Sequence, residues 1–308
     1  MFSTAKNHVV SSRLKFYIAI TILTYFFHHI LYIILFLPII TWSQDDLLAE
    51  IDVDTMQNSY TIAAFKGLKI VNFESTKLVA KKELTLIVSH RFGSIKNGFD
   101  IFFGLDDAVT QLNFVYGLSD RFNISVSRSS FQKIYESSIK YSLAKQIDNG
   151  FPVSIVGYNS ILINTALDKD NLPKLEFRHR LGYTAQLIIS RKINTSFSVE
   201  LAPTFFHDNY VAINEQKNSQ YALGIGGRYK LGKRWSINAD YGWHLNRAAN
   251  SPFKNPLSIG FDLETGGHVF QMHFTNAQAM NTNGFLGQAS GDWTDGNIYF
   301  GFNLSRVF

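Results

Sequence analysis

Cysteine is absent from all 308 residues, so neither a disulfide framework nor a thiolate metal site can form. The same absence excludes a lipoprotein signal, which needs a cysteine at its cleavage site. Charge is sparse, with Asp, Glu, Lys and Arg making up 17% of the chain. The formal net charge is +5, and Lys6, Arg13 and Lys15, the only Lys, Arg, Asp or Glu residues in 1–44, carry part of it. No basic stripe appears, which argues against a nucleic-acid surface. Past Ser43 every apolar run is broken within about ten residues, short of the ~20 that a membrane helix requires. No G-x-S-x-G nucleophile elbow occurs. What the chain does have is 46% hydrophobic and 15% aromatic residues, including 27 Phe and 14 Tyr. That excludes a disordered chain and points to a β-rich one.

The first 43 residues read as an export signal. A positive region (Lys6, Arg13, Lys15) precedes an apolar run from Phe16 to Ile40. Thr41 and Ser43 then supply the small residues of a cleavage site. The run exceeds the usual ~7–15 residues, so a retained helical anchor is the alternative. Either way the remaining chain leaves the cytoplasm. Residues 44–83 are polar and aperiodic, an N-terminal extension or a plug, with a short helix conceivable near Leu47–Ile51.

From Leu84 a period of two takes over. Leu112, Phe114, Tyr116 and Leu118 alternate with Gln111, Asn113 and Gly117. Trp235, Ile237, Ala239, Tyr241 and Trp243 alternate with Ser236, Asn238, Asp240, Gly242 and His244. About twelve such segments of ~9–11 residues follow one another, the length of a tilted membrane strand. Tight turns (Ser119-Asp120, Asn149-Gly150, Gly232-Lys233) interleave with long connections (167–175, 207–219, 246–256, 276–296), while Gly98–Asp107 reads as a loop or short helix. Tyr116, Tyr141, Tyr183, Tyr229, Trp235 and Trp243 fall at strand ends, as interfacial girdles would. The expected fold is all-β: a transmembrane antiparallel up-and-down barrel over 84–308. A soluble secreted β-sandwich would alternate too and is the architectural alternative.

The C-terminus sharpens this reading. Ile298, Phe300, Phe302, Leu304 and Phe308 share one parity, and the final residue is aromatic. Phe300, Phe302, Leu304 and Phe308 resemble the assembly signal read by the insertion machinery of bacterial outer-membrane barrels. Arg306, on the same parity, would snorkel at the rim.

Charged and polar residues on the other parity are lumen candidates: Arg178, Arg180, Glu200, Arg228, Lys230, Asp240, His244, Asp262, Glu264 and His273. Opposite charges inside a small barrel pair across strands, or set ion preference in a pore. A cluster of His244 and His273 with Asp240 or Asp262 is the one conceivable metal site. Ser258, His273 and Asp262 are the one conceivable hydrolase set. Alternating strands supply such residues by chance, so no enzyme, metal or cofactor is expected.

The stretches 102–130 (FFGLDDAVTQLNFVYGLSDRFNISVSRSS), 266–280 (GGHVFQMHFTNAQAM) and 291–308 (GDWTDGNIYFGFNLSRVF) resemble domain of unknown function 5777, a β-barrel family of Bacteroidota. The resemblance would cover roughly residues 70–308 and implies an outer-membrane barrel. It carries no catalytic residue to transfer. The expected function is a passive channel or transport component of the bacterial outer membrane. The alternative is a structural or partner-binding barrel of an envelope complex. Expected partners are outer-membrane lipid, the barrel-assembly machinery and an unidentified periplasmic protein, not nucleic acid.

Overall fold

The computed structural model describes residues 63–308, with Asn214 and the Asn97 side chain excepted. The expected signal segment 1–43 and the helix near Leu47–Ile51 lie outside the described residues.

Twelve antiparallel strands close into one barrel. They are β1 (Leu84–Ser94), β2 (Ala108–Ser119), β3 (Phe122–Ser129), β4 (Ile134–Ala144), β5 (Ser154–Asn164) and β6 (Leu181–Lys192). The circle continues with β7 (Phe197–Asp208), β8 (Ser219–Lys230), β9 (Trp235–His244), β10 (Leu257–Thr265), β11 (His268–Thr275) and β12 (Tyr299–Val307). Each pairs with its sequence neighbours, and β12 returns to β1. Closure removes the free edge, whose unpaired N–H and C=O groups hydrocarbon could not satisfy. The seam starts with Thr85 opposite Val307. Phe308 extends it: its N–H donates to the Leu84 carbonyl at 2.8 Å, and Leu84 N–H donates back at 3.3 Å. The Arg306 guanidinium lies over the Phe308 ring at 4.8 Å.

The wall is inverted relative to a water-soluble protein. On β9, Trp235, Tyr241 and Trp243 are exposed, while Ser236, Asn238, Asp240 and His244 are buried. On β10 and β11, Ile259, Phe261, Phe270, Met272 and Phe274 point outward, and Ser258, Asp262, Gln271 and His273 point inward. A sandwich would bury the apolar parity, so the soluble alternative does not hold.

The two rims differ. One carries the connections 120–121, 145–153, 193–196, 231–234 and 266–267, together with both ends of the barrel. The other carries 95–107, 130–133, 165–180, 209–218, 245–256 and 276–298. One turn differs from expectation. Asn149-Gly150 is not a two-residue hairpin: Asn149 (φ 58°) sits in the longer 145–153 connection, because β4 and β5 part after Ala144 and Gln146 bonds to Ser154 and Lys192 instead. Ile95–Gly104 forms a 3₁₀ segment interrupted at Gly98, Phe102 and Phe103. The short helix α1 (Thr282–Gly287) belongs to the last long connection and is buried from Thr282 to Leu286.

Candidate functional site: the bore and the segment inside it

Residues 63–83, which precede β1, lie against the inward face of the wall. The centre of this segment is a small hairpin: Lys69 bridges Glu74, Ile70 N–H donates to Phe73 O at 2.9 Å, and Ser75 N–H donates to Leu68 O at 2.9 Å. Its tip is held by one carboxylate. The backbone N–H groups of Val71, Asn72 and Phe73 all donate to Asp240 Oδ2, at 3.0, 2.7 and 3.1 Å. A turn lacks the partners that a strand would give these donors, and the buried β9 carboxylate supplies them. Around the tip, Asn72 Nδ2 donates to Ser258 Oγ (2.9 Å) and Thr275 Oγ1 (3.1 Å), and Arg91 donates to Asn72 Oδ1 (3.1 Å) and Asn303 Oδ1 (3.1 Å). Gln271 Nε2 donates to the carbonyls of Lys69 (3.1 Å) and Ile70 (2.9 Å) and to Asp262 Oδ1 (3.0 Å).

Charge adds a second anchor. Glu74 sits between Lys140 of β4 (3.1 Å) and Lys69 (3.3 Å), all three nearly buried. Burial alone would raise the Glu74 carboxyl, but the ammoniums of Lys140 and Lys69 outweigh it and hold the group below the usual carboxylate range. Nearer the short-turn rim, Lys66 pairs with Glu264 at 3.0 Å.

Shape supplies the third. Gly224 and Gly226 face inward on β8, where a Cβ on the first would collide with the Phe73 ring and on the second with the Ile70 side chain. The wall glycines are therefore sockets for this segment. Phe73 also meets Phe285 of α1 edge-on, ring centroids 4.9 Å apart. With Ala202, Phe206, Ala222, Ala277, Leu286 and Ala289 these rings form a buried apolar cluster, so the segment and the last long connection meet inside the bore. The gap beside Lys140, Glu74 and Leu68 is a cavity of about 20 Å³, room for a water molecule and no solute.

The sequence-expected residues distribute unevenly. Glu200, Asp240, His244, Asp262 and His273 are buried on the inward face. Arg228 donates to Ser236 at 3.0 Å, Glu264 holds Lys66, and Lys230 ends β8 half-buried. Arg178 is not a lumen residue: it belongs to the turn before β6, is 70% exposed and pairs with Glu176 at 2.9 Å, while Arg180 ends the same turn half-buried and lines a cavity at the rim. The polar parity continues into this turn, but the strand has not begun, so the parity rule does not apply. Phe300, Phe302 and Leu304 line the outward side of β12, and Phe308 follows it. The Ser258, His273 and Asp262 set is not assembled for catalysis. Ser258 Oγ donates to Thr275 (3.0 Å), Asp262 takes Gln271, and neither His273 nitrogen meets a partner among the described residues. Among those residues no three His, Asp or Glu side chains converge as a metal site. Arg91, Lys140, Glu74 and Asn303 were not anticipated as a site. Each lies on the polar parity or in the aperiodic segment, and only the fold shows that they meet.

The sequence pattern of the membrane-bound β-barrel domain numbered 5777 among domains of unknown function matches residues 65–308. The chain belongs to this family. The match begins at Phe65, so the family domain includes the inner segment as well as the wall. Solved structures similar to this member of the family include the NanC porin, at 8% identity and TM-score 0.46, covering 73% of this chain and 98% of that one. The KdgM porin shows 10% identity, TM-score 0.46 and coverage of 73% and 99%. Omp33 of Acinetobacter baumannii shows 11%, 0.41, 74% and 99%. No curated protein matches the sequence.

Proposed function

We propose that this membrane β-barrel is a channel component of the bacterial outer membrane, and that residues 63–83 are the plug that keeps its bore shut. The carrying observation is the bore wall itself. It is polar on β9, β10 and β11, and it holds the segment through hydrogen bonds, ion pairs and glycine sockets that can be exchanged for water and solute. The rim asymmetry supports the placement: short turns and both ends of the barrel on one side fit a periplasmic rim, long connections an external one. The plug then enters from the periplasmic side.

The chain has no cysteine, so an introduced pair reports only on itself. Thr76 Oγ1 and Ser190 Oγ lie 2.5 Å apart, close enough for Thr76→Cys and Ser190→Cys to bridge. In an Asp240→Ala background, which removes the carboxylate that holds the tip of the plug, the oxidised protein in a planar bilayer should be silent, and reduction should give stepwise currents. Heat-modifiable gel mobility confirms the closed barrel in both states. A folded barrel that stays silent after reduction favours the second reading, a structural or partner-binding barrel. The apolar cluster joining plug and α1 is the observation on that side.

A further inference from the structure

At the long-connection rim, two cavities of about 220 and 30 Å³ share Gln132, Asn164, Asp208, Tyr210 and Gln288 in their linings and form one vestibule. Its inner wall is an amide network. Asn164 Nδ2 donates to Gln132 Oε1 at 3.1 Å, and Gln132 Nε2 donates to Gln288 Oε1 at 2.6 Å. Asn283 Nδ2 donates to Asp208 Oδ1 at 2.7 Å, and Thr184 Oγ1 donates to Asn283 Oδ1 at 2.5 Å. One member breaks the pattern. Asn281 is 2% exposed and lines the smaller cavity, yet neither its side-chain oxygen nor its nitrogen has a partner. Buried polar atoms are normally satisfied, so this carboxamide is left to a water or to a polar group of a solute that reaches it from the larger cavity.

The charges at the vestibule are already engaged. Asp208 accepts from Asn283, and Arg180 donates to the Asn164 carbonyl at 3.3 Å. What remains is neutral carboxamides, which donate and accept as hydroxyl groups do, beside an apolar side made by Leu167, Val211 and Ile213 and the rings of Tyr210 and Phe253. The volume falls below the ~300–1,000 Å³ of drug-sized pockets. We propose that this vestibule, with the unpartnered Asn281 carboxamide in its inner wall, binds a neutral hydroxyl-rich solute the size of one sugar ring. The site lies apart from the plug, and the proposal does not depend on whether the bore conducts.

Isothermal titration calorimetry on the full chain folded in detergent tests it, with D-glucose, N-acetyl-D-glucosamine and D-glucuronate as probes. At least one neutral sugar should bind at about millimolar Kd or tighter, and glucuronate at least tenfold more weakly. Asn281→Leu, which replaces the carboxamide with an apolar group of like size, should weaken binding at least tenfold, and so should Gln288→Ala. Tyr210→Ala lies on the exposed loop and serves if Asn281→Leu loses heat-modifiable mobility; it too should weaken binding. Absence of binding by both neutral sugars overturns the proposal. So does glucuronate binding as tightly as they do, or unchanged affinity in the folded variants.

Discussion

Each strand of β9 to β11 sends apolar side chains outward and polar ones inward, whereas residues 63–83 bring apolar and polar side chains alike against the same wall. Phe65, Ile70, Val71 and Phe73 are as buried as Asn72 and Ser75. The strands answer to two solvents, lipid outside and a polar interior, and a repeat of two residues serves both. The inner segment answers to one surface that differs at every point, so no repeat could serve it. Its hold on the bore is therefore divided among a few named contacts, each of which can be removed without touching the lipid-facing wall.

The largest effect is expected at Asp240. Asp240→Ala orphans three buried N–H donors, each worth about 1–3 kcal/mol when left unsatisfied. Residues 63–83 should become open to limited proteolysis while heat-modifiable mobility persists. Lys140→Met comes next. Stripping one partner from a buried ion pair costs about 3–5 kcal/mol, and the low end applies here because Lys69 still faces Glu74 at 3.3 Å. Cleavage should rise less than in Asp240→Ala. Equal protection of both variants and the parent would mean that apolar packing alone seats the segment.

The contrast also explains what could be read in advance. Strands such as β2 and β9 were legible because every second residue faces lipid, and lipid accepts only apolar groups at membrane depth. β5 carries no such alternation. Val156, Tyr158 and Leu162 are buried on its inward face, and Ile161 is exposed on the other, so the strand is apolar on both sides and loses its alternation. The reason lies in the inner segment, where Leu78 packs against Val156, Tyr158 and Ile188. Gly224 and Gly226 share the inward parity of β8, but their occupants, Phe73 and Ile70, lie some 150 residues away in sequence. Asp240 was legible as an inward carboxylate. That it accepts from three backbone donors was not, since a backbone partner leaves no mark in residue type. Arg178 failed for the opposite reason: the polar pattern starts before the strand does.

A paired substitution on β8 separates the two faces within one strand. Gly224→Ala puts a methyl into the Phe73 ring, and such overpacking costs about 1–3 kcal/mol. Ile225→Ala trims an exposed side chain on the lipid side, where lipid fills the space left. Protection of residues 63–83 should fall in the first and stay unchanged in the second. Loosening by Ile225→Ala to the same degree would show that the segment reports general wall stability and not its own contacts.

The smallest effect is expected from acid. The Glu74 carboxyl is held below its unfolded value, near ~4.3, so its stabilisation is fully present above that value and is lost as pH falls through the folded one. Protection of residues 63–83 should be level from pH 8 to pH 5 and decline only below about pH 4. Lys140→Met sharpens the test, because it removes the larger attractive partner and leaves burial, which pushes the carboxyl up. In that variant the decline should begin at a higher pH than in the parent, while the lipid-facing Ile225→Ala should follow the parent curve. A Lys140→Met curve that superimposes on the parent would place the acid response elsewhere in the bore and remove Glu74 from the anchor.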